Sequence, residues 1–89
     1  MTQQYDTAAM RTQANSIRTQ NDTLRKQITQ LQTLVDQMKG AWKDNAQVKF
    51  AQQFASMQPK LDSFCTNVDS FAARVIAKAD EVDAAEGVI

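Results

Sequence analysis

Few residues in this chain could carry out chemistry, and their spacing favours a structural role for most of them. The chain contains no His, which removes the commonest general base and metal ligand. It has no Gly-rich phosphate loop and no GxSxG nucleophile motif. Asp62 and Asp69 are seven residues apart, so a helix places them on one outer face, where carboxylates are usually solvated. We therefore expect no enzyme activity, no cofactor and no metal site.

Cys65 is the only cysteine, so the chain cannot form an internal disulfide. It adjoins Phe64 on an apolar stripe, which favours a small buried side chain. The alternative is a disulfide between two chains.

Charge and hydropathy exclude two classes of partner. Ten basic and ten acidic residues give a net charge of zero, so no basic excess exists to neutralise phosphates, and we expect no nucleic-acid partner. No apolar run approaches the roughly 20 residues of a membrane span, so we expect no stable membrane insertion. The N-terminal residues Met1–Asp6 lack the basic and apolar regions of a secretory signal peptide. These features favour a cytoplasmic location, or export by a route that recognises folded helices.

A heptad pattern predicts a first helix over about residues 5–39. Its seam, with steps that alternate between four and three residues, comprises Met10, Ala14, Ile17, Asn21, Leu24, Ile28, Leu31, Val35, Met38 and Trp42. Such a stripe packs against a partner helix. Asn21 is polar within it, which costs stability and can fix the register of the pairing. Arg11, Arg18 and Arg25 recur beside the seam, where they either pair with acids on a neighbouring helix or remain solvated.

A second heptad pattern predicts a helix over about residues 46–82. Its seam comprises Phe50, Phe54, Met57, Leu61, Phe64, Val68, Phe71 and Val75. All four phenylalanines lie on it and are expected to supply most of the core volume. Pro59 falls within the seam without disturbing its phase, so we expect one helix that is kinked there; the alternative is a third helix beginning at Pro59. After Val75 the phase slips, and the acidic tail 83–89 is expected to fray.

A short turn over residues 40–45 separates the two patterns. Gly40 is suited to a helix C-terminus, and either Asp44 or Asn45 is suited to the N-cap of the second helix. A connection this short makes the helices antiparallel neighbours. Trp42, the only tryptophan, either covers the end of the helix pair or is exposed for recognition by another protein.

The sequence thus predicts an all-α fold, a single domain over residues 1–89 that forms an antiparallel two-helix hairpin. A lone hairpin buries little apolar surface, so we expect it to dimerise into a four-helix bundle. We expect the core or the dimer interface to centre on Leu24, Ile28, Leu31, Val35, Phe54, Leu61, Phe64 and Phe71.

The segment from Trp42 to Phe50 resembles the turn of the WXG family, the small ESAT-like proteins of type VII (ESX) secretion systems. That family has a Trp-x-Gly turn between two helices, followed by Ala and Phe at spacings that Ala46 and Phe50 match. Asp44 stands where the family has Gly. Because Asp tolerates left-handed or capping geometry better than most residues do, the turn is expected to survive this change.

The resemblance also implies an export signal after the second helix. In the family this is an aromatic or apolar residue followed four positions later by an acid. Ile76 and Asp80, our candidate, have that spacing here, as do Ala79 with Asp83 and Val82 with Glu86, and no Tyr or Phe leads any of the three. Family members look like helical hairpins that dimerise, lack a conventional signal peptide and are exported folded.

Two functions follow as expectations. The first is a small type VII secretion protein of a Gram-positive bacterium, cytoplasmic before export and then secreted without a conventional signal peptide. It would bind as a homodimer or as a heterodimer with another helical chain, and its further partners could include a larger secreted effector and the secretion ATPase. The alternative is a cytoplasmic coiled-coil scaffold or adaptor unrelated to secretion, which the heptad pattern alone would also fit.

Overall fold

The computed structural model describes residues 4–88, with side chains described through residue 86. Helix α1 spans Thr7–Ala41 and helix α2 spans Asn45–Val88. The two helices pack against each other as a hairpin with extents of 68 × 20 × 15 Å. A helix of 44 residues is about 66 Å long at ~1.5 Å per residue, so α2 accounts for the long dimension. The predicted all-α two-helix hairpin is confirmed.

Helix α1 begins and ends at defined caps. Asp6 is the N-cap, and its side chain accepts a hydrogen bond of 2.9 Å from the backbone N–H of Ala9. This carboxylate satisfies one of the backbone donors that a helix leaves free at its start. At the other end the backbone of Trp42 is extended, and its N–H donates to the carbonyl of Met38 at 3.1 Å. The helix therefore starts and stops two residues later than the predicted 5–39.

Helix α2 continues through Pro59 without a break, so no third helix begins there. Proline lacks the N–H that would bond to the carbonyl of Ala55, one turn earlier. Both residues are exposed, so water can satisfy that carbonyl. The kink predicted near Pro59 stays a prediction.

The C-terminal segment is helical through Val88, so the prediction of a frayed tail over 83–89 is wrong for residues 83–88. Two observations account for the order. Ala79 is fully buried against α1, and Arg11 lies within 2.8 Å of Asp80 and within 2.7 Å of Asp83. Asp80 and Asp83, which suggested a solvated tail, instead form ion pairs that connect this segment to α1.

The seam of α2 that faces α1 differs from the predicted one. The buried and half-buried positions that keep alternating steps of four and three residues are Gln47, Ala51, Phe54, Gln58, Leu61, Cys65, Val68, Ala72, Val75, Ala79 and Val82. This inner seam runs without interruption, so the predicted phase slip after Val75 is wrong. Phe54 is the one buried phenylalanine, which also corrects the expectation that all four fill the core.

Candidate protein-binding face

The turn that carries the sequence motif is held by one side chain. The Asp44 carboxylate accepts a hydrogen bond of 2.9 Å from the N–H of Gln47, and the Asp44 carbonyl accepts one of 3.1 Å from Val48. Asp44, one of the two candidates from the sequence, is therefore the N-cap of α2, and the other candidate, Asn45, is the first helical residue. Among the residues described, no non-glycine residue has a positive φ. The position at which the family has Gly thus needs no left-handed backbone here.

Trp42 is exposed to 45% at this turn. It covers the end of the helix pair only in part, and the rest of the indole is open to solvent. Ala46 and Phe50, the other members of the motif, are both exposed on the first turns of α2. The motif residues therefore contribute more to the surface of the hairpin than to its core.

A row of large apolar side chains, which we call the outer stripe, runs along α2 outside the core. Its members are Phe50, Met57, Phe64 and Phe71, exposed to 41%, 47%, 55% and 55%. They recur every seven residues, so they lie on one line nearly parallel to the helix axis. Exposure of that extent in four consecutive heptads is typical of surfaces that bind another protein, which makes the outer stripe a candidate interaction surface.

Helix α1 supplies the other half of this face. Ile17 and Leu24 line a groove together with Phe64 and Val68 of α2. Towards the turn, Leu31 is exposed to 39%, so the apolar surface continues along α1. The hairpin thus presents a two-helix apolar face rather than a single ridge.

The opposite side of the hairpin is charged. Asp69 follows Phe64 by five positions, which places it about 140° away around the helix. Its carboxylate accepts a hydrogen bond of 2.6 Å from Arg25 Nη1. The bond from Arg25 first, and then the one from Asn21, hold the pKa of Asp69 below its usual value. Asp69 is therefore no solvated face charge, contrary to the sequence interpretation, whereas Asp62 is exposed.

Two of the three arginines beside the seam of α1 pair with acids on α2, which is one of the two alternatives that the sequence left open. Arg11 bonds to Asp80 and Asp83, and Arg25 bonds to Asp69, while Arg18 between them is exposed. Hydrogen bonds from Arg11 first, and then from Thr7, lower the pKa of Asp83. These pairs connect α1 to α2 along one edge.

Asn21 is the polar layer of the core, with 3% of its surface exposed. Its Nδ2 donates to the carbonyl of Cys65 at 2.9 Å and to Asp69 Oδ1 at 2.8 Å. Its Oδ1 is buried without a hydrogen-bond partner in the part of the chain described. These bonds can form only when the two helices adopt this register, which is the role that the sequence suggested for Asn21. Cys65 itself is fully buried and free, as expected of a small core side chain.

The structure separates the predicted seam residues into three groups. Val35 and Phe54 are buried, whereas Leu24, Ile28 and Leu61 are half-buried and Leu31, Phe64 and Phe71 are exposed. The two positions of the candidate export signal also differ in exposure. Ile76 is half-buried, whereas Asp80 is exposed and accepts a hydrogen bond from Arg11. What sequence reasoning missed are the small and polar members of the inner seam, such as Gln47, Cys65 and Ala72, although the alternation of the seam was visible.

Within residues 4–88, no group of three or more His, Cys, Asp or Glu side chains could hold a metal ion. The same residues include no helix that is both long and apolar enough to cross a membrane.

Comparison with known proteins identifies a family. A model described as proteins of 100 residues with WXG matches residues 3–87. No curated protein and no solved structure matches the chain. The proteins of the matched family are small, helical and associated with type VII secretion, and they typically form helical dimers. Because the match covers nearly the whole chain, this protein belongs to the WXG100 family.

Proposed function

We propose that this chain is a secreted substrate, an adaptor or an export partner of a larger effector in a type VII system, and that it acts by binding a second helical hairpin through its apolar face. The outer stripe carries the proposal, because four large apolar side chains in successive heptads are exposed in the isolated hairpin. The protein would be cytoplasmic before export and would leave the cell without a conventional signal peptide. A larger effector and the secretion ATPase would be its further partners.

The dimensions of the face suit a stable complex. The stripe extends over 21 residues from Phe50 to Phe71, which is about 32 Å at ~1.5 Å per residue. The hairpin is 20 Å wide. The product of this length and this width is roughly 600 Å² of surface on each copy. The complex would therefore bury roughly 1,200 Å² in total, at the lower end of the range for specific interfaces.

The same face suits a second copy of this chain as the partner, in a four-helix bundle. The row on α1 that comprises Ile17, Leu24, Leu31 and Met38 has its midpoint between Leu24 and Leu31. The outer stripe has its midpoint between Met57 and Phe64. The contacts of Asn21 with Cys65 and Asp69 place these two midpoints at nearly the same height of the hairpin. A two-fold axis at that height would match all four apolar layers.

Charge favours the antiparallel form of this dimer over the parallel one. The half that contains the turn, residues 26–60, has five lysines and two acids, whereas the remaining residues have five basic and eight acidic side chains. Antiparallel copies would place the positive half of one beside the negative half of the other. A heterodimer with another helical chain is the competing arrangement.

The interface is tested by a substitution in the stripe. Phe64→Asp would place a charge in the centre of the proposed interface and should convert the dimer into monomers in sedimentation velocity. Ser63→Asp adds the same charge on the neighbouring exposed position, which faces away from the stripe, and should leave the dimer intact. A wild-type chain that sediments as a monomer at all concentrations would exclude the homodimer.

Export is tested in the native host. The protein should accumulate in the medium of the wild-type strain and be absent from the medium of a strain that lacks the secretion ATPase. Ile76→Ala and Asp80→Asn test the candidate export signal in the same assay. A protein that stays in the cell in both strains, with no secreted partner dependent on it, would support the cytoplasmic scaffold instead.

A further inference from the structure

A second concave surface lies beside the turn, away from the outer stripe. The groove has a volume of about 670 Å³, and its lining includes Lys39, Lys43, Gln47, Val48 and Ala51. Above Gly40 the groove is open, because a Cβ atom built there would meet no other atom within 4 Å.

The groove and the outer stripe point in different directions. Val48 and Phe50 are two positions apart, so their side chains project about 160° apart around α2. A partner bound to the stripe would therefore leave the groove accessible.

The groove combines an apolar floor with an unused polar group. Val48, Ala51 and Ala55 supply the floor. Gln47 is exposed to only 3%, and its side chain forms no hydrogen bond with any residue that the structure describes. Its carboxamide lines the groove, where it could donate to or accept from a bound chain.

The rim of the groove is positively charged, and few acidic side chains near the turn neutralise it. Lys39 lies 3.8 Å from Asp36, whose carboxylate also accepts a hydrogen bond from Gln32. The Asp44 carboxylate accepts the capping hydrogen bond from Gln47 and forms no ion pair with Lys39 or Lys43. No acidic side chain among the described residues pairs with Lys43.

We propose that this groove binds a short acidic peptide segment of a partner protein, with an apolar side chain on the floor and carboxylates directed to Lys39 and Lys43. The floor extends from Val48 to Ala55, about 10 Å along α2 at ~1.5 Å per residue. That length accommodates about three residues of extended chain at ~3.3 Å each. In an acid–apolar–acid sequence, the two carboxylates can pair with Lys39 and Lys43 while the apolar side chain contacts the floor. This site is separate from the dimer face proposed above.

A synthetic peptide provides the probe. The sequence Ala-Asp-Glu-Val-Asp-Ala-Ala-Glu, which corresponds to residues 79–86 of this chain, has the required pattern. Titrated into the full-length protein labelled with ¹⁵N, it should cause saturable shifts of the backbone amide signals of Gly40, Val48 and Ala51. A peptide with every carboxylate replaced by its carboxamide should bind at least about fivefold more weakly, because two charge pairs are lost.

Variants of the protein locate the site. Lys39→Gln combined with Lys43→Gln should weaken binding at least about fivefold, and both side chains are exposed, so folding should be retained. Lys60→Gln removes the same kind of charge outside the groove and should leave affinity unchanged. The proposal would be overturned by no shifts at millimolar peptide, by equal affinity for the neutral peptide, or by equal losses in the two variants. Since the dimer face is elsewhere, any of these results would leave the sedimentation and export tests unaffected.

Discussion

Replacing Asn21 with Asp tests the polar layer at the centre of the hairpin. The two side chains have nearly the same shape, so packing is retained while a donor becomes an acceptor. The new carboxylate would lie about where Asn21 Nδ2 now donates to Asp69 Oδ1 at 2.8 Å and to the Cys65 carbonyl at 2.9 Å. An uncompensated buried charge of this kind typically costs about 3–5 kcal/mol. At pH 7.5 the midpoint of urea unfolding should therefore fall by at least about 1 M.

Acidification should partly rescue this variant. Burial and the neighbouring Asp69 disfavour the charged form of the new carboxyl group, so its pKa is raised in the folded state. The destabilisation is then fully present above the folded pKa and is relieved as the pH falls towards the unfolded pKa. Asn21→Asp should consequently unfold at higher urea at pH 5 than at pH 7.5, measured by circular dichroism at constant protein concentration.

Thr19→Asp is the matched control, because it adds the same charge at an exposed position of the same helix. It should shift the unfolding midpoint little at either pH. If Asn21→Asp unfolds at the same urea concentration as this control, Asn21 does not contact Asp69 and the proposed register of the helices is wrong.

Three further results are expected from the same unfolding assay. Asp44→Ala removes the cap of α2 and should cost about 1 kcal/mol, whereas Asp44→Gly should cost only a few tenths; equal losses would indicate that the carboxylate does not cap the helix. Pro59→Ala restores a backbone hydrogen bond at an exposed position and should stabilise the chain by up to about 3 kcal/mol, and a loss of stability would show that the helix depends on the proline. The pKa values of Asp69 and Asp83 are lowered in the folded state. These two carboxylates therefore stabilise the folded chain above the unfolded pKa near 3.8, and that stabilisation is lost as the pH falls through their folded pKa values. The urea midpoint of the wild type should thus fall below about pH 4, and Asp69→Asn should reduce that dependence.

The first helix and the turn were predictable because, in each, few residues could supply the buried seam or the helix cap. In α1 the heptad positions are occupied by apolar residues with one polar exception, Asn21, and the arginines recur on one side of them. At the turn, a carboxylate two residues after Trp42 is among the best available caps. The structure uses Asp44 in that way.

The core of α2 was not predictable from hydrophobicity alone. Ranking positions by apolar size selects Phe64 and Phe71, yet the structure buries Cys65 and Ala72 instead. Two long helices approach closely where small side chains meet, so the inner seam favours Ala and Cys, and large side chains remain for a surface that a partner can cover. Because both seams have a period of seven, periodicity alone does not separate the seam within the hairpin from a seam between hairpins.

The tail was misread for a related reason. Residues 80–89 contain four acids and no base, which suggests repulsion when only neighbours in the sequence are considered. Two of them, Asp80 and Asp83, pair with Arg11, which is some 70 residues away along the chain and becomes a neighbour only after the hairpin closes.

The contacts between α1 and α2 follow one another along the hairpin, and this order determines how the hairpin responds to mechanical force. Each layer of the inner seam touches only the layers next to it, so pulling the free ends of α1 and α2 apart would load the layers one at a time. The pairs from Arg11 to Asp80 and Asp83 lie near the open end and would bear that load before the Asn21 layer does. Tension applied along the axis of α2 alone would instead be carried by its own backbone hydrogen bonds. The hairpin is thus easier to unzip from its open end than to extend along the axis of α2.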